Sequence, residues 1–155
     1  MRINITACLV AGLCAVAGTA LARDDANRVD QGAKVAHFAV PDRAYHSPGF
    51  ESLSFWSGPQ GRSVDYEYGA DHKRLRLRVL GPSVDGRGFA VGFPNGFVLD
   101  IVPRDDVLQV RDRGGKYGKT FEWQYEGPVD GRGTFCQPCV DEPEAVGFVR
   151  EHFMK

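Results

Sequence analysis

Between residues 64 and 80, VDYEYGADHKRLRLRVL, apolar and charged side chains alternate on both sides of a turn. Val64, Tyr66 and Tyr68 share one face of the first run, and Asp65 and Glu67 the other. Leu75, Leu77 and Val79 share one face of the second run, and Arg74, Arg76 and Arg78 the other. Period two is the mark of a half-buried strand. With residues 69–72 as the turn, Tyr66 falls opposite Leu75 and Val64 opposite Leu77. The same register sets Glu67 against Arg74 and Asp65 against Arg76. A slip of one residue would put carboxylates against apolar side chains, so hydrophobic pattern and charge select one register. Arg78 has no acid opposite it, which makes it the cation of this row best placed for an outside contact.

The rest of the chain follows the same period until its end. Residues 34–40 form a first strand, stopped by Pro41. Residues 52–57, with Leu53, Phe55 and Trp56, form a second, and Gly58-Pro59-Gln60-Gly61 turns into the charged hairpin. Two apolar runs, 89–93 and 97–102, flank Pro94-Asn95-Gly96, and Asn-Gly between such runs is a strong hairpin signal. Both runs are apolar on two faces, which places them near the middle of a sheet; Asp100 is the acid inside them. Residues 107–111 make a shorter strand and 112–118 a Gly-rich turn. In residues 119–126, Phe121, Trp123 and Tyr125 alternate with Glu122, Gln124 and Glu126. After residue 139 the period changes. Asp141 is placed to cap a helix, Glu142, Pro143 and Glu144 suit its first turn, and Ala145, Val146, Val149 and Phe153 make its apolar stripe. The pattern predicts a mainly β fold: an antiparallel β-sandwich or open barrel of about seven or eight strands, with a C-terminal helix over 142–153. Residues 23–155 read as a single domain.

The first residues read as an address. Met1-Arg2 is positive, residues 3–17 are apolar, and Ala20-Leu21-Ala22 precedes Arg23-Asp24-Asp25. This predicts a signal peptide over residues 1–22, cleaved after Ala22, and a periplasmic or secreted protein. Gly12, Gly18 and Thr19 break the run short of the roughly 20 residues a spanning helix needs, so stable membrane insertion is not expected. The chain has 19 basic and 20 acidic residues, net −1. Without excess positive charge, nucleic acid is an unfavoured partner. Cys8 and Cys14 leave with the leader. Cys136 and Cys139 then make a disulfide in an oxidising compartment.

Candidate chemistry is sparse. There is no G-x-S-x-G, H-E-x-x-H or P-loop motif, and His37, His46, His72 and His152 are scattered. Cys136-Gln-Pro-Cys139 precedes a helix, as a redox motif does, but too few elements follow it for a thioredoxin-like domain. With one C-x-x-C and no histidine close in sequence, no metal and no cofactor are expected. Glu122 and Glu126 read as a solvated strand face. Phe121, Trp123 and Tyr125 read as core, or else as an exposed aromatic row extended by Phe50, Phe55 and Trp56. The remaining candidates lie in Gly-rich loops: Asp85 and Arg87 in 82–88, Lys116 and Tyr117 in 112–118, and Asp130 and Arg132 in 127–133. The first and last nearly repeat each other, as GPSVDGRG and GPVDGRG. Backbone N–H groups in such turns can also cradle anions, but a calcium-loop ligand pattern is missing.

A leader, one small β-rich domain, one disulfide and no catalytic signature are similar to small bacterial periplasmic inhibitor and immunity proteins. That likeness is one of class and compartment. It implies a non-enzymatic protein that binds and blocks another protein, such as a cell-wall hydrolase or a toxin, by inserting a loop. The alternatives are an envelope enzyme, either thiol–disulfide or hydrolase, and a sugar- or lipid-binding module with a cavity lined by Trp56 and Trp123.

Overall fold

Every alternating run becomes a strand, and the strands close on themselves. The structure is a computed structural model that describes residues 28, 31–124, 136 and 138–155. The strands are β1 (Lys34–Ala39), β2 (Glu51–Gly58), β3 (Gly61–Tyr68), β4 (Lys73–Pro82), β5 (Phe89–Gly92), β6 (Val98–Arg104), β7 (Val107–Asp112) and β8 (Gly118–Trp123). Each pairs antiparallel with its neighbour in sequence, and β8 returns to β1, giving a closed barrel. Of the two architectures the pattern allowed, the barrel is realised and the sandwich is not. The segment expected to be a leader, residues 1–22, and the loop 127–133 with Asp130 and Arg132 lie outside the described residues.

The charged hairpin has the expected register. Tyr66 pairs with Leu75, Val64 with Leu77, Glu67 with Arg74 and Asp65 with Arg76. Gly69 (φ +76°) and His72 (φ +51°) take the left-handed turn positions. Asp65 and Glu67 point away from the core, yet they are only 3% and 4% exposed. Asp65 takes Arg28 and Arg76, each at 3.0 Å. Glu67 takes Arg74 at 2.9 Å and His72 at 2.7 Å. The ring of Tyr45 stacks 3.9 Å from that of His72, so the β1–β2 loop lies over this part of the outer wall. The long guanidinium side chains shield the acids and pair with them at once.

Phe38, Phe55, Phe89 and Phe121 point inward and are fully buried. The C-terminal helix, α1 (Glu142–Phe153), closes one end of the barrel. It buries Ala145, Val146, Val149 and Phe153, the stripe expected from its period. The Phe153 ring packs 5.5 Å from Phe55 and 5.6 Å from Phe89. At the rim, Arg62 donates to the His152 carbonyl, and Arg150 donates to the Pro103 carbonyl at 3.4 Å. Burying one phenylalanine contributes about 1.5–3 kcal/mol, so Phe153 alone anchors much of the helix. Phe50, Phe55 and Trp56 are buried as well. They do not form the exposed aromatic row considered above, because their strand faces are covered by the core, by Arg28 and by the β1–β2 loop. Tyr125 lies outside the described residues.

The closing seam is short. Among the described residues, Phe38↔Trp123 and Ala39↔Glu122 pair β1 with β8, and Gln124 N–H, just past β8, donates to the His37 carbonyl at 3.0 Å. The other half of β1 is met by the segment leading to α1. There Val35 N–H donates to the Pro138 carbonyl at 2.9 Å, and Val140 N–H to the Val35 carbonyl at 2.8 Å. This segment holds the disulfide between Cys136 and Cys139, whose Cα atoms are 5.3 Å apart.

Candidate functional site

The β4–β5 loop, residues 83–88, is tied to itself by its own polar groups. Ser83 N–H donates to the Gly88 carbonyl and Gly86 N–H to the Ser83 carbonyl, both at 3.0 Å. The Ser83 hydroxyl donates to Asp85 at 2.8 Å and accepts from Gly88 N–H at 2.9 Å. Asp85 also accepts from the Arg87 backbone at 3.0 Å and from Arg87 Nε at 3.1 Å. Gly86 supplies the left-handed position, φ +68°. These are the bonds of an Asx turn closed by a serine.

The loop folds against the outer wall instead of projecting from the barrel end. Gly88 lies so close to β6 that a Cβ there would overlap the Ile101 carbonyl. Arg111, on β7, donates to the Asp85 carboxylate from across the wall. Asp85 is therefore held far below the usual carboxylate range. The Arg87 backbone N–H contributes most, then the Ser83 hydroxyl, with Arg111 adding to them. Asp100, the acid inside the apolar run, sits at the floor of this region and is 4% exposed. Its nearest cation is Arg113 at 3.7 Å, and its Oδ1 accepts no hydrogen bond from a described residue.

The two described Gly-rich loops thus meet. Val84, Asp85, Asp100, Arg111, Asp112, Arg113 and Gly115 line one open groove of about 350 Å³. Arg87 stands at its edge through Asp85. Lys116 is exposed at the tip of the β7–β8 loop. Tyr117 belongs elsewhere: its hydroxyl donates to Glu51 at 2.6 Å in the mouth of the barrel. Arg78 is exposed on a separate stretch of outer wall, in a groove it shares with Arg62, Ser63 and Arg76.

The barrel mouth carries a polar cluster that the sequence reading passed over. Glu51 accepts from Tyr66 at 2.9 Å and from Tyr117, and it pairs with Lys119. Burial, reinforced by the Glu51 charge, pushes both tyrosine hydroxyls well above their ordinary pKa. A signal was present in the sequence. Glu51 shares the inward parity of Leu53 and Phe55, and Lys119 that of Phe121, so each charge needed an internal partner.

The groove beside the β4–β5 loop offers guanidiniums, carboxylates and an exposed valine. Among the described residues, its guanidiniums and carboxylates are groups that can pair with charges on another molecule. No protein-family model, curated protein or solved structure matches the chain.

Proposed function

We propose that this chain is an exported, non-enzymatic binding protein of the inhibitor or immunity type, which contacts a partner protein through the β4–β5 loop and the neighbouring β7–β8 loop. The observation that carries the reading is the Asp85 network. It fixes a loop whose tip residue, Val84, is 75% exposed. An apolar side chain held in water by a pre-formed loop adds nothing to the core and is open to a partner, and pre-organisation removes the ordering cost that weakens association. Arg87, Arg111 and Arg113 alternate around it with Asp85 and Asp112, so the complementary surface is an apolar recess with a rim of both charges. An envelope hydrolase or a toxin is the kind of partner such a blocking loop would serve.

Two observations favour this over the alternatives. Phenylalanines from the strands and from α1 occupy the barrel interior, where a sugar or lipid would otherwise sit. Outward positions on β3 and β4 carry Asp65, Glu67, Arg74, Arg76 and Arg78, the reverse of the apolar outer band of a membrane barrel. Among the described residues, no helix is long and apolar enough to cross a membrane.

The test is capture of envelope proteins on the mature chain, compared with Val84→Asp, Arg87→Glu and Lys116→Glu. A contact residue of this kind costs upward of about 1 kcal/mol, or several-fold in affinity. Weaker capture with an unchanged melting temperature supports the reading. Equal capture by all three variants removes these loops from it.

A further inference from the structure

On the other side of the barrel, β1 turns His37 outward into a covered position, 5% exposed. The segment beside it brings up both cysteines of the mature chain. Two backbone bonds to Val35 fix that segment, and Cys139 N–H donates to the Cys136 carbonyl at 3.2 Å to make the turn between them. A ring nitrogen of His37, Sγ of Cys136 and Sγ of Cys139 all lie within 4.8 Å of one another. Tetrahedral zinc with bonds of about 2.3 Å to sulfur and 2.0 Å to nitrogen holds such atoms roughly 3.5–3.8 Å apart. The two sulfurs, bonded to each other in the disulfide, must move apart to that spacing once reduced, while the imidazole nitrogen is already within reach of both.

The surroundings of the histidine are those of a ligand. Its Nδ1 lies 2.9 Å from the Ser54 hydroxyl, and its ring stands edge-on to Trp56 at 6.4 Å. A hydrogen bond from a hydroxyl to one ring nitrogen fixes the ring's orientation, as outer partners of metal-bound imidazoles do. The sequence offered only the C-x-x-C half of this arrangement. Folding supplies the imidazole from the first strand.

We propose that the reduced form of Cys136, Cys139 and His37 binds a thiophilic d¹⁰ cation, zinc or copper(I), and that the disulfide is the metal-free state of the same site. Two thiolates and an imidazole suit these ions and disfavour magnesium or calcium, which prefer oxygen donors. Opening the disulfide takes two electrons and two protons and yields two thiols: a dithiol gives both and ends as its own disulfide, whereas a phosphine gives the electrons, water gives the protons, and the phosphine leaves as its oxide. Binding the ion as two thiolates then releases both protons to solvent. In an oxidising compartment the site rests as the disulfide, and reduction makes it able to load.

The experiment uses the mature chain and zinc. The protein is reduced with a phosphine, freed of reductant without air, incubated with Zn²⁺, and its bound metal measured by mass spectrometry and chelator competition. Expected is one zinc on the reduced chain and none on the oxidised chain. Ser54→Ala should weaken binding about 10–100-fold, as loss of an outer hydrogen bond does. His37→Gln should weaken it further while keeping both thiols, and Cys136→Ser with Cys139→Ser should abolish it. A ¹⁵N shift of the His37 ring on zinc addition is a readout that needs no variant. The proposal is overturned if the reduced chain holds no more zinc than the double serine variant, or if the His37 nitrogens do not respond.

Discussion

Arg111 reaches the carboxylate of Asp85 across 26 positions of sequence and ties the β4–β5 loop to β7. The bonds from Ser83 and Arg87 shape the loop from within, and Arg111 holds it against the wall. Arg111→Ala should therefore leave the global melting temperature nearly unchanged. Amide exchange at Arg87 and Gly88 should quicken, since local opening no longer breaks a tie to β7. Unchanged protection at both amides would mean that the loop is held by its internal bonds alone.

Asp85 gives the loop a definite acid response. Its folded pKa is depressed, so its contribution is present above the unfolded value, about 3.9, and is lost only as pH falls through the lower folded value. Loop protection factors should thus persist at about pH 3.5, where an ordinary carboxylate is mostly protonated. Protection that fades in step with a normal carboxylate titration would contradict the network.

The barrel mouth should respond at the other end of the scale. Tyr66 and Tyr117 have raised folded pKa values. Their contribution is complete below the unfolded tyrosine value, about 10, and falls away as pH rises beyond it towards the folded values. Thermal melts should show stability declining above about pH 10. A Tyr66→Phe, Tyr117→Phe variant should start less stable and decline less steeply. Parallel pH profiles for the two proteins would rule out the tyrosines as the cause.

Gly88 is required for close approach. A Cβ would overlap the Ile101 carbonyl and crowd the Val102 Cα, neither of which is a flexible side-chain end. Gly88→Ala should cost about 1–3 kcal/mol in denaturant unfolding, the range for overpacking. Gly118→Ala is a suitable control, because nothing lies within 4 Å of its added Cβ; equal effects at the two positions would refute the steric account.

Phe153 should carry the helix. Cutting it to alanine empties the space against Phe55 and Phe89 and should cost about 3–5 kcal/mol. Near-UV dichroism and urea unfolding would measure it, and a loss below about 1 kcal/mol would show that α1 is held by its rim bonds instead.

What could be read in the sequence was what local pattern determines. Alternation and charge together set the β3–β4 register, because any slip sacrifices both. Asn95-Gly96 marked the β5–β6 hairpin: Gly96 takes φ +85° and the Asn95 side chain accepts from Phe97 N–H at 3.1 Å. The helix ran from 142 to 153 as its stripe implied. Closure was not legible, since the meeting of β1 with β8 depends on tilt and shear accumulated over every strand. Nor was the site. Turn chemistry identified residues 83–88, but not that the loop would lie back over Asp100 and meet Arg111. The same holds for His37, whose distance from the cysteines in sequence concealed their proximity in space.

The seam between first and last strands has a kinetic consequence. Among the described residues, two residue pairs, the Gln124–His37 backbone bond and the stretch around the cysteines join the start of the barrel to its end. Until that stretch has been synthesised, β1 exposes an unpaired edge, a template for pairing with other chains. Such end-to-end contacts are slow to form. A nascent copy therefore stays unsealed through most of its synthesis, with the hazard of mispairing concentrated on that one edge.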